Sequence, residues 1–94
     1  MSSEKFRIEV ARHAQQELAV LEKENRLAIL QAIQKFLSSR PFLPVKTRIK
    51  KMTGFDPVLY RLRVGDYRVY YRIQQQHVVV LGIVHKKDTK KWLK

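Results

Sequence analysis

The run Leu59-Tyr60-Arg61-Leu62-Arg63-Val64-Gly65-Asp66-Tyr67-Arg68-Val69-Tyr70-Tyr71-Arg72-Ile73 constrains the fold more than any other feature of the chain. Its β-branched, aromatic and arginine residues alternate around Gly65-Asp66, the pattern of two strands joined by a two-residue hairpin turn. Such a turn sets the register. Val64 stands opposite Tyr67, Arg63 opposite Arg68, Leu62 opposite Val69, Arg61 opposite Tyr70 and Leu59 opposite Arg72. Because side chains alternate between faces, Val58, Tyr60, Leu62, Val64, Tyr67, Val69, Tyr71 and Ile73 share an apolar face. Arg61, Arg63, Arg68 and Arg72 share the other, around Leu59 and Tyr70.

The rest of the chain supplies elements to cover the apolar face. Phe6-Arg7-Ile8-Glu9-Val10 alternates and predicts a first strand. Residues 11–39 change to helical spacing, with Ala11, Ala14, Leu18 and Leu21 in one stripe. Leu27, Leu30, Ile33 and Leu37 form a second stripe, widened by Ile29 and Phe36. Asn25, after Glu22-Lys23-Glu24, is a candidate N-cap for the second of two antiparallel helices. Pro41 ends that helix near Ser39-Arg40, and Pro41 and Pro44 bracket a loop. Residues 47–52 predict a short strand. Residues 78–84 are apolar throughout and predict a strand interior to the sheet. Residues 85–94 form a basic tail with about one helical turn. The expected fold is α+β with the order β-α-α-β-β-β(-β), a helical hairpin packed on a mainly antiparallel, twisted sheet, in a single domain over residues 1–94.

Charge narrows the partners. The formal net charge is +12, with residues 1–24 at −1 and residues 25–94 at +13. An imbalance of this kind points to a polyanion, or to an acidic protein that masks the patch. There are no cysteines, which removes disulfide and thiolate chemistry and fits a reducing cytoplasm. No apolar run approaches the roughly 20 residues that span a bilayer, and Met1-Ser2-Ser3-Glu4-Lys5 is not followed by a signal-peptide segment. The carboxylates are scattered, so neither a metal nor another cofactor is expected, and there is no glycine-rich phosphate loop.

Like charges facing each other across a ladder are unfavourable. Four guanidiniums around an aromatic ring suit phosphate and base contacts, since arginine forks match phosphate oxygens and a tyrosine can stack on a base. The hairpin run, followed by an apolar strand and then Val84-His85-Lys86-Lys87-Asp88, resembles the signature of the RelE/ParE toxin superfamily. The resemblance extends over nearly the whole chain, from opening strand through helical hairpin to basic end.

That resemblance implies the toxin of a type II toxin–antitoxin pair. RelE-type members act at the ribosomal A site and cut mRNA there; ParE-type relatives inhibit DNA gyrase. The basic residues of RelE-type members correspond by position to Arg61, Arg63, Arg68, Lys86 and Lys87, expected here as the catalytic group. Metal-independent RNA cleavage uses the neighbouring 2′-OH as nucleophile. It needs a proton acceptor, cations for the developing phosphorane charge, and a proton donor for the leaving 5′-oxygen. Arg68 with Arg61 suits charge stabilisation, because arginine stays protonated. Lys86 or Lys87 suits proton transfer if cationic neighbours depress its pKa. Tyr70, Arg72, His85, Lys90 and Lys91 are expected to contact RNA, Tyr70 by stacking and His85 as a further proton carrier. RelE-type proteins often carry a tyrosine shortly after the basic pair; this chain has Lys90 or Lys91 there, then Trp92, read as a packing anchor. His13 is read as surface and His77 as part of a turn. A third reading is a catalytically degenerate member that binds RNA or antitoxin only. The implied partners are mRNA, the ribosomal A site and a cognate antitoxin, acidic and partly disordered when free. The antitoxin is expected to cover Leu18, Leu21, Leu30 and Phe36, and no membrane partner is expected.

Overall fold

The computed structural model describes residues 5–42 and 48–93. Its elements are β1 (Arg7–Val10), α1 (Arg12–Ala19), α2 (Lys23–Leu37), β2 (Ile49–Met52), β3 (Leu59–Val64), β4 (Tyr67–Gln74) and β5 (His77–His85), then a single 3-10 turn over Lys86–Asp88 and α3 (Thr89–Leu93). The five strands form one sheet in the order β1-β5-β4-β3-β2. All neighbours are antiparallel except β1 and β5.

The hairpin register is the one the turn dictates: Val64 pairs with Tyr67, Arg63 with Arg68, Leu62 with Val69 and Arg61 with Tyr70. Gly65 takes φ +57°, the left-handed first position of a tight hairpin turn that a side chain would disfavour. The apolar face meets the helices as expected. Leu62, Val69, Tyr71, Val78, Val80, Ile83 and Ile49 pack against Ala14 and Leu18 of α1 and Ile29, Ile33 and Leu37 of α2. Fully burying a side chain such as Leu62 contributes about 1.5–3 kcal/mol.

Several local expectations are corrected. The second helix begins at Lys23 with Glu22 at its cap position and no side-chain cap bond, so Asn25 is not the cap. The buried stripe of α2 runs Ile29, Ile33, Leu37, and Leu27 and Leu30 are exposed. Spacing alone admits either phase of the stripe; contact with Ile49 and Leu62 selects one. β3 starts at Leu59, leaving Val58 exposed and outside the strand. His77 is the first residue of β5 rather than part of the turn, and its Nδ1 bonds the Glu9 carboxylate of β1. β2 begins at Ile49; Pro44 and Thr47 lie outside the described residues.

One irregularity decides the faces of β5. Tyr70 pairs with Gly82 but Tyr71 pairs with Val80, so Leu81 is an extra residue, a β-bulge. Val78, Val80 and Ile83 thus reach the helices, while Leu81 and Val84 join a second apolar cluster. Past Val80, where β1 ends, Glu17 of α1 accepts the Ile83 N–H at 2.7 Å and replaces the missing strand partner.

Tyr71 anchors the main core. It is fully buried, stacks on Tyr60 with ring centroids 5.5 Å apart, and donates its hydroxyl to the Pro41 carbonyl at 2.6 Å. Burial first, then the neighbouring Tyr60, raises its pKa well above the ordinary tyrosine value of 10.0. Tyr71→Phe should cost about 1–3 kcal/mol in urea unfolding, because the Pro41 carbonyl loses its partner. The folded-state pKa lies above the unfolded one, so the tyrosine's contribution is intact below pH 10 and is lost as pH rises beyond it. Stability measured between pH 9 and 11 should fall more steeply in the unsubstituted chain than in Tyr71→Phe.

Candidate functional site

The face of the sheet away from the helical hairpin carries the arginines in two rows. Lys50, Arg61, Tyr70 and Gly82 stand opposite one another across β2, β3, β4 and β5, and Arg63, Arg68 and Val84 form the next row. Arg72 lies further along β4, paired with Val79. Arg63 is exposed; Arg61, Arg68 and Arg72 are half-buried. Lys50 was not singled out in the sequence, because no tight turn ties β2 to β3 and its register could not be read.

Arg68 is held by backbone carbonyls and not by a carboxylate. Arg68 Nη1 donates to the Gly65 carbonyl at 2.9 Å and to the Tyr67 carbonyl at 3.0 Å. Burial, then repulsion from Arg61 and Arg63, lowers the Arg68 pKa from its ordinary value, against smaller opposing effects of Tyr70 and Asp66. The Nε–H groups of Arg61 and Arg72 are buried without an acceptor among the described residues. Among those residues none of the four arginines forms an ion pair; Asp66 pairs with Lys86 at 3.4 Å instead. Both of those side chains are exposed, so the pair is worth at most about 1 kcal/mol.

Tyr70 is not open to a base. It is 1% exposed, and its ring stacks on the indole of Trp92 with centroids 4.5 Å apart at 12°. The C-terminal segment lies over the sheet, and Trp92 and Leu93 cover a cluster of Leu59, Tyr70 and Val84 with Met52, Phe55 and Leu81. Burial raises the Tyr70 hydroxyl pKa, against smaller lowering effects of Arg61 and Arg68. Trp92 is therefore the packing anchor, and Tyr70 is the platform it sits on. The expectation that Tyr70 stacks on RNA is corrected for that reason.

His85 also stands elsewhere than expected. It pairs with Tyr67 across β4 and β5, and the two rings meet edge to face at 5.4 Å on the helix side of the sheet. Its Nδ1 accepts the Lys87 N–H at 3.3 Å. Lys86 is tied to the hairpin twice, by its side chain and by its N–H to the Asp66 carbonyl at 2.7 Å. Lys87, Lys90 and Lys91 are exposed. Of the residues expected to meet an antitoxin, Leu30 is exposed, Leu21 and Phe36 are half-buried, and Leu18 is 7% exposed, chiefly a core residue that also walls a groove with Val10 and Ala19. Phe36 is further covered by the Arg48 guanidinium, 5.0 Å from its ring centre. Among the described residues no cluster of His, Asp or Glu is placed to hold a metal, and no helix is long and apolar enough to cross a membrane.

The sequence model of the family described as the ParE toxin of the type II toxin–antitoxin system parDE matches residues 8–89. The chain belongs to the ParE toxin family. This toxin also shares its fold with RelE proteins. It superposes on the RelB–RelE antitoxin–toxin complex from Methanococcus jannaschii with a TM-score of 0.70 and 21% identity, over 92% of this chain and 99% of that one. The RelBE2 toxin–antitoxin complex from Mycobacterium tuberculosis gives 0.69 and 22%, over 86% and 98%. A double arginine-to-alanine mutant of E. coli RelE in the free state gives 0.64 and 16%, over 95% and 92%. No curated protein sequence matches the toxin. Family and fold together make it a type II toxin of the RelE/ParE superfamily.

A methyl group at Gly82 would overlap the indole of Trp92. Gly82→Ala should therefore lift the tail while leaving the main core folded. Trp92 is the toxin's one tryptophan, so its fluorescence should shift to the red and lose the quenching of the stacked tyrosine. The urea midpoint of the helix–sheet core should move by less than in Leu62→Ala, for which about 2–5 kcal/mol is expected.

Proposed function

We propose that the toxin is a metal-independent endoribonuclease that cuts mRNA at the ribosomal A site, using the arginine face. The observation that carries this reading is the in-register set Lys50, Arg61, Arg63 and Arg68, with the three arginines held toward one surface without a carboxylate partner. A binding surface needs charge; a convergent set of forks whose repulsion is left uncompensated suits an anion that arrives, and a phosphorane carries more negative charge than its ground state. Arg61 and Arg68 stabilise that charge, and Arg63 and Arg72 hold flanking phosphates. Lys87 is the proton carrier this geometry favours, since Lys86 is engaged with Asp66. Lys90 and Lys91 extend the cationic surface along the strand of RNA.

Arg61→Ala or Arg68→Ala should leave the toxin folded and slow cleavage by about a hundredfold or more, the usual effect of removing one transition-state charge donor, ~2.7–4 kcal/mol. Primer extension on mRNA from expressing cells reads this directly. Binding to ribosomes should weaken steeply with salt as counterions are retained on the phosphates. A folded Arg61→Ala/Arg68→Ala double variant that cleaves at the full rate would remove the face from the mechanism.

The family match favours a second reading, inhibition of DNA gyrase as the resemblance to ParE-type toxins implies. The covered Tyr70 supports it, since the tyrosine among the arginines is then closed to a base. DNA damage with intact mRNA in expressing cells would select it.

Under either reading the toxin works with a cognate antitoxin, a partner supported by the antitoxin-bound complexes that share its fold; the basic charge of the toxin suits an acidic antitoxin, partly disordered when free. The exposed Leu27 and Leu30 of α2, with Val20 beyond α1, offer it apolar contact. Hydrogen exchange should show protection of both helices on complex formation; protection confined to β4 would place the antitoxin on the arginines alone.

A further inference from the structure

The Gly65-Asp66 turn borders a second concavity, on the side of the sheet opposite the arginines. It is a cleft of about 510 Å³ between the first turns of α2 and the hairpin tip, within the roughly 300–1,000 Å³ of small-ligand sites. Its floor is apolar, from Ile29 and Val64; its wall is aromatic, from the edge-to-face pair of Tyr67 and His85. Asn25 and Asp66 supply polar groups at the rim. Room is left by Ala28 on an exposed position of α2 and by Gly65, where even an added Cβ would meet nothing.

We infer that this cleft binds a nucleobase of the RNA whose phosphates lie on the arginine face. An apolar floor and an aromatic wall suit a flat heteroaromatic ring. The rim supplies what a base edge requires. The Asn25 amide both donates and accepts, and the Asp66 carboxylate accepts. His85, whose Nδ1 accepts the Lys87 N–H, keeps its Nε2–H as a donor in the neutral ring. Lys86 beside Asp66 offsets the carboxylate charge that would repel a phosphodiester. Strand alternation joins the two surfaces: Arg63 and Arg68 point to one face, and Val64 and Tyr67, their immediate neighbours, point to the other. A single strand that crosses the turn at Gly65 thus keeps its phosphates on the cations and turns one base into the cleft. The inference rests on the RNA reading above and adds a base-recognising site to it.

Ala28→Phe fills the cleft from a solvent-facing helical position and touches none of the arginines. The test is a two-dimensional amide NMR titration of the full toxin with inorganic phosphate and with each of the four nucleoside 5′-monophosphates. Phosphate should shift the signals of Arg61, Arg63 and Arg68. The nucleotides should shift those and also Ile29, Tyr67 and His85, with affinities that differ among the four bases. Ala28→Phe should weaken nucleotide binding about tenfold, leave phosphate binding unchanged, and erase the second set of shifts; Asn25→Ala should flatten the preference among bases. The cleft is overturned as a base site, with the arginine face retained, if nucleotides shift only the residues that phosphate shifts. The same holds if Ala28→Phe leaves base-dependent shifts in place. Absence of shifts at the arginines as well overturns the RNA reading together with it.

Discussion

A strand presents its residues to two faces in alternation, so a turn that fixes which residues stand opposite each other also fixes which side chains meet the helices. In this toxin that turn is Gly65-Asp66, with the glycine in the left-handed conformation that two-residue hairpins accept. A slip by one residue would place Arg61, Arg63 and Arg68 against Ile33 and Leu37, and would expose Leu62, Val69 and Tyr71. Desolvating even one unpaired guanidinium there costs several kcal/mol, so the apolar packing enforces the register that the turn begins. The arginine face is the other side of the same choice. It needs no further instruction to form, because every residue that satisfies the core commits its neighbour outward.

This is why the hairpin and its arginine face were legible in the sequence and the cover over that face was not. Period-two alternation and a two-residue turn are local, and Leu59 to Ile73 contains all the information that sets them. The bulge at Leu81 is not local: the apolar run Val78-Val79-Val80-Leu81-Gly82-Ile83-Val84 reads the same with or without it. Only the pairing of Gly82 with Tyr70 shows that the strand changes phase there. That phase change puts a residue without a side chain opposite Tyr70 and opens a seat for Trp92, far along the chain. Tyr70 was read as a free aromatic because its cover comes from a tail whose only sequence signal was a single tryptophan. His85 was read with the lysines that follow it for the same reason, although the bulge sends it to the helix side beside Tyr67. Leu27 and Leu30 show the corresponding limit for helices, where two phases of a stripe differ by one residue and tertiary contact decides.

The covered tyrosine changes what the arginine face is made of. Aromatic floor and aliphatic side chains lie under Arg61 and Arg68, and this partial burial is what lowers the Arg68 pKa, ahead of the repulsion by its neighbours. Desolvated guanidiniums are poorer in water and correspondingly more attractive to a phosphate, because an interaction of fixed geometry strengthens as the local dielectric falls. Under the proposed reading Tyr70 and Trp92 would thus serve the anion site without touching the anion. Tyr70 stands directly across from Arg61, where a buried ring leaves less room for water than an open one.

The two kinds of cation in the site differ in how firmly they are held. The arginines project from β3 and β4, interior strands that are each paired on both sides. The lysines of the tail depend on a backbone bond from Lys86 to Asp66, a bond from the Lys87 N–H to His85, an exposed ion pair, and the docking of a five-residue helix through Trp92. Segments with few buried contacts open at a small fraction of the global unfolding free energy. Charge stabilisation of a phosphorane demands fixed geometry, whereas a proton carrier or a phosphate-trailing ammonium tolerates movement and can close on the substrate after it binds. The sheet carries the residue type that cannot lose its proton, and the more lightly held tail carries the type that can. That difference follows from where each side chain is attached, and it supports the proposed roles, in which the arginines position charge and the lysines transfer protons.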